Sequence, residues 1–189
     1  MTPSSPEPKS ALLGQLYELF RRKGYDGVSI GDISAETGLG RSSLYHHFPG
    51  GKAEMAQAVL AFTRTTMEAN FLTPLSFDAP LAGRIDAMLA AVDRAYQSGE
   101  GPCVLAALLS ASDDGPLSAG LAQLFQDWAA AIAASLTQAG VDVAEARRRA
   151  ITALALIQGG LIIARGLKDR SAFAAALAAA KATLVGAAA

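Results

Sequence analysis

At 189 residues the chain can form one large domain or two small ones around a buried core. Its composition is 51% hydrophobic but only 6% aromatic, so Ala and Leu dominate, and these favour helix over strand. A net charge of −1 excludes a protein that holds nucleic acid by bulk electrostatics and leaves room only for a local basic face.

The opening MTPSSPEPKS is rich in Pro and Ser and has no apolar run behind a basic start, which predicts a frayed arm and not a signal peptide. From Lys9 to Lys23, the residues Leu12, Leu13, Leu16, Leu19 and Phe20 recur at helical spacing, and Gly24 ends that helix. Ser29 followed by Asp32 has the spacing of a capping box and opens a short second helix that ends near Gly38. After GLG, Ser42 and Ser43 open a third short helix that runs to about Phe48, where PGG closes it.

Beyond Lys52 the predicted helices lengthen, to about 52–72, 79–98, 103–111, 117–139, 143–167 and 170–186, and each break carries Gly, Pro or Asp. No convincing strand pattern or fixed-period repeat interrupts them. The expected fold is therefore all-α, with about nine helices, divided near Gly51 into a small head (1–51) and a larger body (52–189). The most lipid-like stretch, Ala150–Ala164, is interrupted by Gln158, Gly159 and Gly160 and is shorter than the roughly 20 residues of a spanning helix. It reads as a buried helix, with no membrane partner.

Residues 30–48 meet the requirements of a helix-turn-helix, which needs a buried wedge, a sharp turn and a polar outer face on its second helix. Ile30, Ile33, Leu39, Leu44 and Phe48 supply the wedge and Gly38 the turn. Arg41, Ser42, Ser43, Tyr45, His46 and His47 remain for the outside; all can donate a hydrogen bond to phosphate or a base edge, and none is acidic.

The stretch from Gly24 to Met55 resembles the N-terminal domain of TetR-family transcriptional regulators, through Ser29, Ile33, Gly38, Tyr45, His47, Phe48 and Lys52. Ser42 stands where most members have Gly, and the loop before Lys52 is one residue longer. The resemblance implies backbone-phosphate contacts from Ser29, Tyr45, His47 and Lys52, and base-edge contacts from Arg41, Ser42, Ser43 and His46. The PGGK loop and the EGPCVLAALL segment resemble the LmrA/YxaF-like branch, whose members include repressors that release DNA on binding flavonoids or other small aromatic compounds. The function so implied is a dimeric, cytoplasmic repressor of a palindromic operator, released by a small apolar or aromatic effector. Phe71, Met88, Tyr96, Cys103 and Trp128 are the effector-pocket candidates.

The segment AITALALIQGGLIIARGL is apolar nearly all round, so it must be covered by its own body and by a partner. Paired with FAAALAAAKATLV and a second copy of both, it would form a four-helix bundle through Ile151, Leu154, Gln158, Leu161, Ile162, Arg165, Phe173 and Leu177.

Other chemistry finds little support. His46 and His47 point about 100° apart on a helix and have no ligand-spaced companions, so neither metal nor cofactor is expected. GLGRSS lacks the preceding strand and the Lys of a phosphate-binding loop, and no activated nucleophile or paired carboxylate marks an enzyme. Cys103, the single cysteine, excludes an internal disulfide and points to a reducing compartment. The rival readings are a helical adaptor without DNA binding and a small-molecule enzyme using the apolar body.

Overall fold

The computed structural model describes residues 9–109 and 115–186, and all regular structure among them is helical. The α-helices are α1 (Lys9–Lys23), α2 (Ile30–Thr37), α3 (Arg41–His47), α4 (Gly51–Met67), α5 (Leu81–Ala95), α6 (Val104–Leu109), α7 (Pro116–Gln138), α8 (Val143–Leu167) and α9 (Arg170–Val185). They fall into two compact units, one built from the chain through Arg64 with Val104–Ala122, the other from Thr65–Cys103 and Gln123 onward. The opening arm and residues 110–114 lie outside the described residues.

In the first unit, Leu12, Leu16, Leu19 and Phe20 of α1 are fully buried, as their spacing predicts. Arg22 pairs with Glu36 at 2.8 Å and Lys23 with Asp32 at 2.5 Å, tying the end of α1 to α2. The unit also takes in α6, which packs on α1, and Ala107 accepts a hydrogen bond from the Tyr25 backbone N–H at 3.3 Å. The compact division therefore does not follow Gly51. A helix that sequence order assigns to the body packs with the head, because Leu105 and Leu108 find their apolar cover there.

In the second unit, the helix predicted over 52–72 stops being α at Met67 and continues as a π turn (Glu68–Leu72) and a 3-10 turn (Thr73–Ser76). The next helix begins at Leu81, not 79, since Pro80 has no N–H to donate and serves as its N-cap. Met88, Val92, Trp128 and Ile132 form the centre of this core, each fully buried.

Helix α8 has the predicted bounds, with Asp142 accepting from the backbone N–H groups of Ala144 and Glu145. Its 25 residues are long and apolar enough, by length and composition alone, to cross a membrane. Here its Ala146–Ala150–Ala153–Ile157–Leu161–Ala164 stripe is buried and α9 packs along it. A Cβ on Gly160 would stand 2.2 Å from the Ala176 Cβ, so the Gly160 close approach serves α9 of the same chain, while Gly159 meets nothing.

Candidate nucleic-acid interface

The α2–α3 pair is set by local chemistry. Ser29 Oγ accepts from the Asp32 backbone N–H at 3.1 Å, and Asp32 Oδ2 accepts from the Ser29 backbone N–H at 2.9 Å, completing the predicted capping box. Lys23, then Ser29, hold the Asp32 carboxyl well below its ordinary range by hydrogen bonding to its charged form. Gly38 ends α2 in the left-handed region at φ 68°, where a side chain would be strained. Thr37 Oγ1 donates to the Ile33 carbonyl at 2.7 Å and Ser34 Oγ to the Leu39 carbonyl at 2.6 Å, so the turn is cross-braced.

Inside the angle, Ile33, Leu44 and Phe48 are buried, and Ile30 and Leu39 are half-buried. Outside it, Arg41, Ser42, Ser43, Tyr45, His46 and His47 are all exposed, and no carboxylate occurs from Gly38 through Pro49. Helix α3 starts at Arg41, one residue before Ser42. Gly40 is its N-cap and provides no side-chain cap, so the N–H groups of the first turn have no side-chain acceptor there. The His46 and His47 rings meet edge-on, 5.7 Å between centres.

Two of the implied phosphate ligands have partners within the chain. Both donors of Ser29, its N–H and its hydroxyl, go to Asp32, so this residue serves the α2 cap and has no donor left for phosphate. Lys52 is half-buried; its ammonium donates to the Tyr25 carbonyl at 3.2 Å and sits 4.3 Å from the centre of the Tyr25 ring. Tyr25 as a seat for Lys52 was not readable from the sequence, because it lies in a loop outside any periodic pattern.

The face thus consists of hydroxyls, imidazoles and one guanidinium on a short helix backed by a braced turn. Comparison with known proteins identifies it. Residues 12–59 match the N-terminal domain of the bacterial regulatory proteins of the tetR family, and residues 81–179 match the C-terminal domain of LmrA/YxaF-like transcriptional regulators. The chain belongs to the TetR family. It is a DNA-binding transcriptional regulator.

Among relatives of this TetR-family regulator, LmrA of Bacillus subtilis is 24% identical over 167 residues, 86% of this chain and 89% of LmrA. The uncharacterized regulator YxaF of the same organism is 24% identical over 172 residues, 89% of this chain and 90% of YxaF. The fold is that of a TetR transcriptional regulator from Legionella pneumophila, with TM-score 0.84 at 20% identity, covering 96% of this chain and 99% of the other. A cysteine-substituted form of the TetR-family regulator CifR, solved with 26bp double-strand operator DNA, matches with TM-score 0.75 at 18% identity, covering 98% and 99%.

In the second unit of the regulator, all five effector-pocket candidates are buried. Four of them form two pairs: the Phe71 ring lies 5.1 Å from that of Trp128, and the Tyr96 hydroxyl lies 3.4 Å from Cys103 Sγ. Trp128 Nε1 is buried with no hydrogen-bond partner among the described residues. None of the five lines the open apolar cleft between α7 and α8, about 1060 Å³, which is walled by Phe125, Ala129, Ala133, Ile151, Leu154 and Gln158.

The partner-facing candidates divide. Ile151 and Ile162 are 54% and 63% exposed, Arg165 is exposed, and Gln158 and Leu177 are half-buried. Leu154 sits low in the α7–α8 cleft, while Leu161 and Phe173 are buried within their own chain and present nothing to a second copy. Ile163 and Leu167, which are not among the expected partner-facing residues, are 54% and 68% exposed and extend the apolar face of α8.

Proposed function

We propose that this regulator is a cytoplasmic homodimeric repressor that holds a palindromic operator and releases it when a small apolar or aromatic effector binds the body. In this reading residues 1–51 read DNA, 52–189 bind the effector and the second copy, and the protein acts by binding alone. The observation that carries it is the exposed, carboxylate-free face of α3 on a braced helix-turn-helix, a surface that phosphates and base edges can approach without repulsion. Arg41, Ser42, Ser43 and His46 would meet base edges; Tyr45, His47 and Lys52 would meet phosphates.

One match supports operator binding and another the direction of control. The CifR variant was solved on operator DNA, and IcaR of Staphylococcus aureus, a negative transcriptional regulator by name, is 35% identical over 51 residues. Two copies of α3 in successive major grooves would stand roughly 34–36 Å apart. An effector that favours a different spacing by about 1–3 kcal/mol would lower operator affinity roughly 5–150-fold.

Fluorescence anisotropy with DNA from upstream of the regulator's own coding sequence tests this. Saturable, salt-sensitive binding that survives excess unrelated duplex is expected; binding that competitor DNA removes entirely would overturn operator recognition.

A further inference from the structure

Arg84 lies in the first turns of α5 and is only 6% exposed, yet every acceptor it meets is neutral. Its Nη1 donates to Gln138 Oε1 at 2.5 Å and to the Leu75 carbonyl at 3.4 Å, and its Nη2 to the Ser135 carbonyl at 3.3 Å. Its Nε is buried without a partner. Ser135, 3% exposed, has a hydroxyl in the same condition.

A full charge taken out of water needs a counter-charge or a complete set of hydrogen bonds. The carboxyl end of α7, where Ser135 and Gln138 sit, supplies about half a negative charge, and Arg84 in part acts as its cap. That offset is incomplete, because the amino end of α5, with no acidic residue in its first turn, adds positive potential at the same place. Asp78, exposed to water, lines the same cleft as Arg84 but makes no ion pair with it among the described residues.

Two clefts adjoin here. One, of about 300 Å³, is lined by Arg84, Asp78, Phe77, Ser76 and Gln138; the other, of about 370 Å³, by Leu72, Leu75, Ala131, Ser135, Ser76 and Gln138. Ser76 and Gln138 line both, so the cleft that holds Arg84 and the more apolar one are neighbours; Arg84 and Ser135 are buried, whereas Asp78 is exposed.

We propose that Arg84 and Ser135 form the anion end of a binding site for a small amphipathic carboxylic acid, whose apolar part lies against Leu72, Leu75 and Ala131. A carboxylate presents two coplanar oxygens that match adjacent guanidinium N–H groups, including the unused Nε, and it also accepts from a hydroxyl. Gln138 Oε1 is the neutral acceptor the carboxylate replaces. As the exposed last residue of α7, Gln138 can swing into solvent to make way.

Isothermal titration calorimetry on the full chain without DNA tests the site independently of operator binding. The probes are benzoate and hexanoate, with benzamide, hexanamide and inorganic phosphate as controls. Saturable one-to-one binding of the acids is expected, at least tenfold tighter than that of the amides or phosphate. Gln138→Ala should tighten it, Ser135→Ala should weaken it, and Arg84→Met should abolish it. If Arg84→Met does not fold, the other two variants still decide. Absence of saturable acid binding in both the natural chain and Gln138→Ala overturns the site, as does equal binding of the amides or phosphate.

Discussion

Lys52, at the start of α4, reaches back 27 residues to Tyr25, donating to its carbonyl at 3.2 Å while lying 4.3 Å from its ring centre. An ammonium has three donors, so this seat leaves two for a phosphate and holds the side chain in one place. The longer PGG loop before Lys52 is accommodated by Gly51 at φ 64°, a conformation a side chain rarely adopts, with Tyr45 packed over it.

Lys52→Ala should therefore act twice. Without DNA it should lower stability by about 0.5–1 kcal/mol through the lost cation–π contact. On DNA it should reduce the slope of log affinity against log salt by about one for each copy. Tyr25→Leu separates the effects: stability falls, but the salt slope stays, since the charge remains. Thermal melts and anisotropy over a salt series read both.

Substitution on the outer face of α3 should leave the fold alone. Arg41, Ser43 and His46 are exposed and make no core contact, so Arg41→Ala should change stability by less than about 0.5 kcal/mol. If Arg41 reads a base edge, the same change should cost about 1–3 kcal/mol on operator DNA and relax preference at one base pair. Uniform weakening across sequences would make Arg41 a phosphate ligand instead.

The capping box gives a pH dependence of known sign. The folded-state pKa of Asp32 is held below its ordinary 3.8, chiefly by Lys23 and then Ser29. Its stabilising contribution is thus fully present above about pH 4 and is lost as pH falls below that value toward the lowered folded pKa. Asp32→Asn should melt earlier than the natural chain at pH 7, and the gap should narrow as both are taken to pH 2.5. A gap independent of pH would mean that charge is not what Asp32 contributes.

Local signals were legible in the sequence and non-local ones were not. The bounds of α8, the Ser29–Asp32 box and the Gly38 turn follow from caps and helix-ending residues within a few positions. The packing of α6 on α1 depends on contacts far apart in sequence, and no local pattern encodes it. Helix α8 is apolar on most of its circumference, so its pattern has no phase. That is why the pattern points Leu161 to a partner although it is buried at home, and does not single out exposed Ile163. The burial of Arg84 was equally invisible, since an Arg in LAGRID reads as a solvated position.

Gly159 and Gly160 are adjacent but should respond oppositely to Ala. At Gly160 the new Cβ would stand 2.2 Å from the Ala176 Cβ, so α8 and α9 must separate, at about 1–3 kcal/mol. Adding Ala176→Gly should return most of that loss. At Gly159 nothing lies within 4 Å, and Ala should add up to about 1 kcal/mol of helix propensity. Chemical denaturation of the three variants checks the contrast.

The proposed dimer makes the exposed face of α8 the decisive surface. Ile151, Ile162 and Ile163 are each more than half exposed on a helix whose opposite stripe is buried within the chain. Side chains this apolar and exposed are costly unless covered. Ile162→Lys should therefore leave the helical circular dichroism of each protomer unchanged while shifting sedimentation from dimer to monomer. Operator affinity should fall with it by about 100-fold or more, because each half-site must then be bound without the gain in effective concentration from the other. A variant that still sediments as a dimer would place the interface elsewhere; one that becomes monomeric yet binds DNA undiminished would separate dimerisation from operator recognition.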